Sequence, residues 1–245
     1  MKKIICILLF ISISIPFWGQ KLGIQAGYSL TNTFASINKS SLSFNRKPVS
    51  GFTVGPIFSW DFLNNNDLGR SFGADIALMF NMRNANFVIT YKEYTPIAFK
   101  QNLYYLDIPL HAYYKQKIKN TTLIMFLGPS FNIGLDGSNY AQENTAMQKP
   151  IFNSKIDQKE LFGKDNTYKR LEIGIDLGIA AEYKNILFKA SYMQGVNNVT
   201  QNAATPYGIE EIGSGIKQTY MHGVFSFCIG YTFDLKGPKE KTYSK

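Results

Sequence analysis

From Leu171 to Tyr183 every second residue is apolar. Leu171, Ile173, Ile175, Leu177, Ile179, Ala181 and Tyr183 alternate with Glu172, Gly174, Asp176, Gly178, Ala180 and Glu182. A period of two sets successive side chains on opposite faces of a β-strand. One face here is greasy, the other small, polar and acidic. After Lys184-Asn185 the chain reverses, and Phe188, Ala190 and Tyr192 alternate with Lys189 and Ser191. A soluble sandwich buries its apolar face and seldom lines glycines and carboxylates toward water in such order. A membrane barrel turns the apolar face to lipid and the polar face to its lumen.

The same alternation predicts six more strands: Lys21–Thr31, Val49–Trp60, Arg70–Met82, Leu103–Lys115, Thr121–Leu135 and Gln218–Phe233. With the hairpin of 171–183 and 186–196 this makes eight. Pro56 removes a ladder donor from the second strand and implies a bulge or kink there. The connections 32–47, 83–102, 136–167 and 197–217 are long; 61–69, 116–120 and 184–185 are short. Within them, Phe87–Tyr91 reads as a strand extension. Ser154–Gly163 reads as a two-turn helix, with an N-cap and a terminating glycine. Long and short connections alternate strictly, as in outer-membrane barrels with long extracellular loops and short periplasmic turns. The expected fold is therefore all-β: an eight-stranded antiparallel up-and-down transmembrane β-barrel in the outer membrane, with both termini in the periplasm. Near the short turns the outward positions carry Trp60, Phe72, Tyr114, Tyr183, Phe188, Tyr231 and Phe233. Rings at that level are expected to form a membrane-interface girdle.

Met1–Gln20 has the composition of a secretory signal: Lys2-Lys3, an apolar run Ile4–Ile15, and a small residue near the expected cut at Gly19-Gln20. The domain expectation is a cleaved signal over 1–20, a barrel over 21–234 and a charged periplasmic tail over 235–245. Cys6 lies inside the signal, so Cys228 is the one cysteine expected in the mature chain and no intrachain disulfide follows. No further stretch of the 245 residues is long and apolar enough for a transmembrane helix. The formal charge of +9 is spread over loops. It suits anionic outer-membrane lipid and lipopolysaccharide as partners, and without interleaved aromatics it argues against nucleic acid.

Four segments carry a family likeness: Tyr104-Tyr105-Leu106-Asp107-Ile108-Pro109-Leu110, Leu127-Gly128-Pro129, Ile173–Gly178 and Ser191–Asn198. In this order they resemble the PorT-like outer-membrane β-barrel family of Gram-negative bacteria. Asp107 stands where glutamate is commoner, which preserves the charge. The resemblance spans about the whole mature chain and implies an eight-stranded barrel. Its founding member is tied to type IX protein secretion, a role that a shared barrel does not transfer.

Eight strands enclose a lumen that side chains fill, which argues against a diffusion pore. The inward positions place Asp75, Asp107, Glu172, Asp176 and Glu182 against Lys115, Lys189, His111 and His222. Such charges must be paired or wet. Lys189 is expected diagonal to Glu182 across the last tight hairpin. Asp107 and His111 lie roughly 13 Å apart along one strand and cannot touch. No nucleophile–base arrangement, metal-ligand spacing or phosphate loop is present, so no catalytic residue, metal or cofactor is expected. The expected role is non-enzymatic: binding or scaffolding other envelope proteins through the extracellular loops, 136–167 above all. A secretion or assembly accessory, a lipid-modifying enzyme and a small-solute channel are the rivals.

Overall fold

The computed structural model describes residues 20–37, 42–65, 68–91, 97–143, 154–156, 161–163, 168–200 and 218–235. The expected signal up to residue 19 and the tail beyond Leu235 lie outside the described residues. Eleven strands form one sheet: β1 (Gln20–Ile37), β2 (Leu42–Lys47), β3 (Val49–Asn65), β4 (Arg70–Ala77), β5 (Met79–Tyr91), β6 (Ile97–Ile118), β7 (Thr121–Glu143), β8 (Ser154–Ile156), β9 (Leu171–Tyr183), β10 (Ile186–Gly195) and β11 (Gln218–Asp234). Only Pro48 separates β2 from β3, and only Leu78 separates β4 from β5. The sheet therefore comprises eight crossing strands plus the short β8. All neighbours are antiparallel, and β1 pairs with both β3 and β11, which closes the ring. The seam brings the two ends together: the Leu235 N–H donates to the Gln20 carbonyl at 2.9 Å. The barrel thus begins at Gln20, one residue before the expected boundary.

The faces follow the alternation. Leu22, Ile24, Phe52, Ile175, Leu177, Ile179, Phe225 and Ile229 point outward and are exposed, Ile179 at 63%. Between them Gln25, Thr53, Asp107, Asn132, Glu172 and His222 point inward and are buried. A continuous exposed apolar band of this extent is stable only against hydrocarbon. Among the described residues no helix is long and apolar enough to cross a membrane. The crossing is made by strands.

Several local expectations need correction. Pro56 causes no register shift. Leu78 still donates to the Pro56 carbonyl at 3.0 Å, and the pairing is in step on both sides of it. The proline lacks the N–H to return the bond, so the ladder merely loses a rung. Bulges occur instead at Asp61/Leu63 and at Tyr104/Tyr105. Ser154–Ile156 is not the start of a helix; it pairs as β8 with Asn139–Ala141. The reason is an open edge: β7 runs to Glu143, whereas its pairing with β9 ends at Ile133↔Leu171. The stretches 32–37, 42–47, 83–86, 97–102 and 136–143, expected as loops, are strand, and Phe87–Tyr91 extends β5 as expected. Residues 134–143 of β7 rise roughly 34 Å along the strand beyond β9, so β5, β6 and β7 make a tall wall on the long-loop side.

The two-residue turns Lys119-Asn120 and Lys184-Asn185 begin with left-handed φ of 55° and 54°, the sign that primed hairpin turns require at their first central position.

The face assignment is testable. Leu177→Arg, on the apolar face near mid-strand, is expected to cost about 2–4 kcal/mol of folding free energy in a bilayer. Heat-modifiable gel migration after refolding into vesicles reads the outcome, and an unaltered folded fraction contradicts the assignment.

Candidate functional site

The interior is built in layers from inward positions. In the upper layer Arg83 of β5 is 1% exposed. Its Nη2 donates to Asp107 Oδ1 at 2.7 Å, and its Nη1 donates to Glu172 Oε2. Asn81 Nδ2 holds the other Asp107 oxygen at 2.8 Å. The guanidinium lies over the Tyr105 ring, 4.3 Å from its centroid. On the far side, His222 Nδ1 and its backbone N–H meet Glu172 Oε1 at 3.0 and 3.2 Å. One guanidinium thus ties β5, β6, β9 and β11 across the lumen.

In the next layer His111 stands between two carboxylates, Nδ1 2.7 Å from Asp75 Oδ1 and Nε2 3.1 Å from Asp176 Oδ2. A neutral imidazole has one N–H. Two carboxylate contacts therefore require a second proton in the Asp75–His111–Asp176 group. The ring packs 4.6 Å from Phe126. Below it Lys115 donates to Asp61 Oδ1 at 2.9 Å, as does the Tyr113 hydroxyl at 2.8 Å. Glu182 accepts from Lys21 and, at 3.2 Å, from Thr232 Oγ1.

The expected Lys189–Glu182 contact is not made. Glu182 pairs across the sheet with Leu187, and its cation is Lys21 of β1. Lys189 instead lies over the Phe126 ring at 4.3 Å. Asp107 and His111 belong to separate groups, as their spacing required. The remaining inward candidates, Asp75, Lys115, Asp176 and His222, each have an ionisable partner. Three charged lumen residues escaped the sequence reading: Arg83, taken as loop, Asp61, taken as turn, and Lys21, taken only as the start of a strand. For Arg83 the signal was present, because Ala77, Met79, Asn81, Arg83 and Ala85 continue the inward parity of β4 and β5 without a break.

An apolar cap covers the charged layers on the long-loop side. Leu161, Phe162, Tyr168 and Val199 come down from the connections onto Leu103, Tyr105 and Tyr220, all buried. The Phe162 ring stands edge-on to Tyr105, 5.4 Å between centroids. It occupies the space above Gly134, where any Cβ would strike it. Gln101 links the cap's phenols, donating to Tyr168 at 2.6 Å and accepting from Tyr220 at 2.9 Å. Burial pushes the Tyr168 phenol up to about 12, so it stays a neutral hydroxyl. Lys169 N–H to Val199 carbonyl, at 2.7 Å, and Val199 N–H to Tyr220 carbonyl, at 3.0 Å, pin the two loop segments together.

Two lumen cavities of about 40 Å³ each remain, one lined by Lys21, Asp75, Lys115 and Glu182, the other by Gln25, Asp107, Asp176 and Lys189. Each has room for a few waters. Beyond the second cavity, on the long-loop side, Glu172, His222 and Asn132 have no exposed surface. Among the described residues no group of three or more His, Cys, Asp or Glu is placed to hold a metal ion.

Outside, the seven aromatics picked from sequence all stand on the outward face at the short-turn end. Phe72 and Tyr114 pack at 5.0 Å, Tyr231 and Phe233 at 4.9 Å, and Trp60 lies tilted against Phe58 and edge-on to Phe62. A second group, unnoticed in the sequence, lies eight to ten positions up the strands. There Phe80 contacts Phe52 at 5.8 Å and Tyr104 at 5.9 Å. Eight residues span roughly 27 Å of strand. After tilt this is of the order of the apolar band of a membrane barrel, about 25 Å.

A family model described as outer membrane protein beta-barrel domain matches residues 17–201. No curated relative matches the chain. Among solved structures, the chain is similar to the outer membrane protein OprG of Pseudomonas aeruginosa: 12% identity, 88% of this chain and 96% of that one covered, TM-score 0.49. Ail, the attachment invasion locus protein of Yersinia pestis, is 14% identical over 88% and 99% of the two chains, with TM-score 0.36. Neisserial surface protein A is 14% identical over 88% and 97%, with TM-score 0.37.

Arg83→Met strands the Asp107 and Glu172 carboxylates in the lumen. It is expected to cost about 3–5 kcal/mol, the usual loss when one partner leaves a buried ion pair. Urea unfolding in vesicles measures it, with exposed Lys47→Gln as a control expected within about 0.5 kcal/mol.

Proposed function

The chain belongs to the outer membrane protein beta-barrel domain family, and from that premise we propose that it is a sealed, non-enzymatic barrel that presents its long connections to other components of the cell envelope. The observation that carries this reading is the filled lumen. Arg83 and its carboxylates span it, and the ring cluster around Phe162 and Tyr168 roofs it. Such an interior neither passes a solute nor admits a substrate. What remains for recognition is the long-loop side, where the tall wall of β5, β6 and β7 stands on a rigid base.

In this reading the long connections face outward from the cell, both termini and the short turns face the periplasm, and residues 1–19 direct export. Trp60, Phe72, Tyr114, Tyr183, Phe188, Tyr231 and Phe233 sit at headgroup level on the periplasmic side. The basic balance favours contact with anionic lipid and lipopolysaccharide. The PorT-like strand motifs at Tyr104–Leu110 and Ser191–Asn198 favour a second reading, an accessory subunit of a secretion machine. Co-purification of the intact chain with a large translocon supports that second reading.

The sealed lumen predicts silence in planar bilayers. Conductance of the refolded protein is expected not to exceed leak over a range of voltages. Discrete openings from the folded, heat-modifiable form contradict the sealed-barrel reading.

A further inference from the structure

The outer wall is not uniformly convex. Over β7, β9 and β10, near the short turns, an open groove of about 680 Å³ is cut into the apolar face. That volume lies in the range of sites for small ligands, about 300–1,000 Å³. Its floor is made where side chains stop at Cβ, at Ala181 and Ala190. These lie diagonal to each other because Ala181 pairs with Phe188 and Ala190 with Ile179. Leu123, Met125, Ile179 and Phe188 form its banks. The groove reaches from Tyr114 and Gln116 of β6 across to Phe227 of β11, and its alanine floor leaves room for an extended alkyl chain.

The rim at its short-turn end is cationic. Thr121 pairs with Tyr183, which sets the Lys119 and Lys184 turns side by side. The Lys184 ammonium leans along the outward face, 5.4 Å from the centroid of the Tyr183 ring. On the other bank Arg70 Nε is held by Gln116 Oε1 at 3.1 Å, and Gln116 also accepts from the Tyr114 hydroxyl at 2.9 Å. Tyr114 and Gln116 both line the groove. The acid among the described residues of this rim, Glu182, points inward to Lys21. Apolar trough and cationic rim together match a phosphate diester joined to a fatty chain.

We propose that this groove is a binding site for one anionic glycerophospholipid, an acyl chain lying over Ala181 and Ala190 and the phosphate held by Arg70, Lys119 and Lys184. The inference rests on the membrane placement proposed above, which puts the short turns in the phospholipid leaflet. Labelling of Asn185→Cys by a membrane-impermeant maleimide, in whole cells against permeabilised ones, reports that placement separately from lipid retention. The test is native mass spectrometry of the full chain taken from vesicles of equal phosphatidylglycerol and phosphatidylethanolamine into mild detergent. One phosphatidylglycerol per chain is expected to survive detergent washing. Ala181→Phe with Ala190→Phe fills the trough and is expected to lower retention at least tenfold. The milder Ala190→Leu serves if the double variant does not insert. Lys119→Gln with Lys184→Gln is expected to abolish the preference for phosphatidylglycerol. Ala26→Phe, an exposed alanine on β1, is expected to change nothing. Equal retention after the trough is filled overturns the proposal. So does equal retention of phosphatidylethanolamine and phosphatidylglycerol by the unaltered chain, or a cross-linked dimer lost on filling the trough, which gives the groove to a second copy of this chain.

Discussion

Hydrocarbon offers no hydrogen-bond partners, and this governs the molecule. Each backbone N–H and carbonyl that enters the bilayer must be met by another strand, which leaves closure as the one arrangement open to a sheet. The chain meets the demand with antiparallel neighbours all the way round. It tolerates Pro56, Pro109 and Pro129 inside strands because none of them shifts the register. Each removes a donor and leaves the frame intact. Insertions that change strand pairing are confined to the bulges at Asp61/Leu63 and Tyr104/Tyr105.

Closure then dictates the interior. Eight strands leave a tube too narrow to be empty and too small for a conventional core. The inward glycines let backbones and rings approach, apolar side chains such as Ile57, Ile124, Phe126 and Leu187 fill part of the space, and polar and charged side chains occupy the rest. Six lumen carboxylates, those of Asp61, Asp75, Asp107, Glu172, Asp176 and Glu182, face four cations, Lys21, Arg83, Lys115 and Lys189. The two histidines are set against the excess, His111 between Asp75 and Asp176 and His222 on Glu172. Charge pairing across the lumen does the work that apolar contact does in a water-soluble core. Removing one member is therefore far costlier than removing a surface charge.

The strands and their faces were legible in the sequence because a period of two leaves no freedom once one face must be apolar. Leu171–Tyr183 and Thr121–Leu135 needed nothing else. What failed did so for stated reasons. Arg83 was lost because the strand was ended where the outward face turned polar, although inward parity continued. Extensions such as 97–102 and 136–143 were lost because strands held by neighbours above the bilayer carry no apolar face to announce them. Lys189 was given to Glu182 because hairpin neighbours can be paired from sequence, whereas Lys21, 161 positions from Glu182, cannot. The roof formed by Phe162 and Tyr168 was invisible inside a polar connection. Its trace is the glycine at position 134, kept small for a ring that arrives from elsewhere in the chain.

The seam between β1 and β11 carries a consequence for biogenesis. It joins the first described strand to the last, Lys21 facing Asp234. Until the final segment has arrived, the first strand has one neighbour and the nascent sheet carries two open edges, each able to recruit a stranger. Ring formation is thus the last event by necessity, and its loop-closure penalty grows only as the logarithm of the chain enclosed. A chain cut short before residue 218 keeps both edges open and makes an adhesive sheet rather than a smaller barrel.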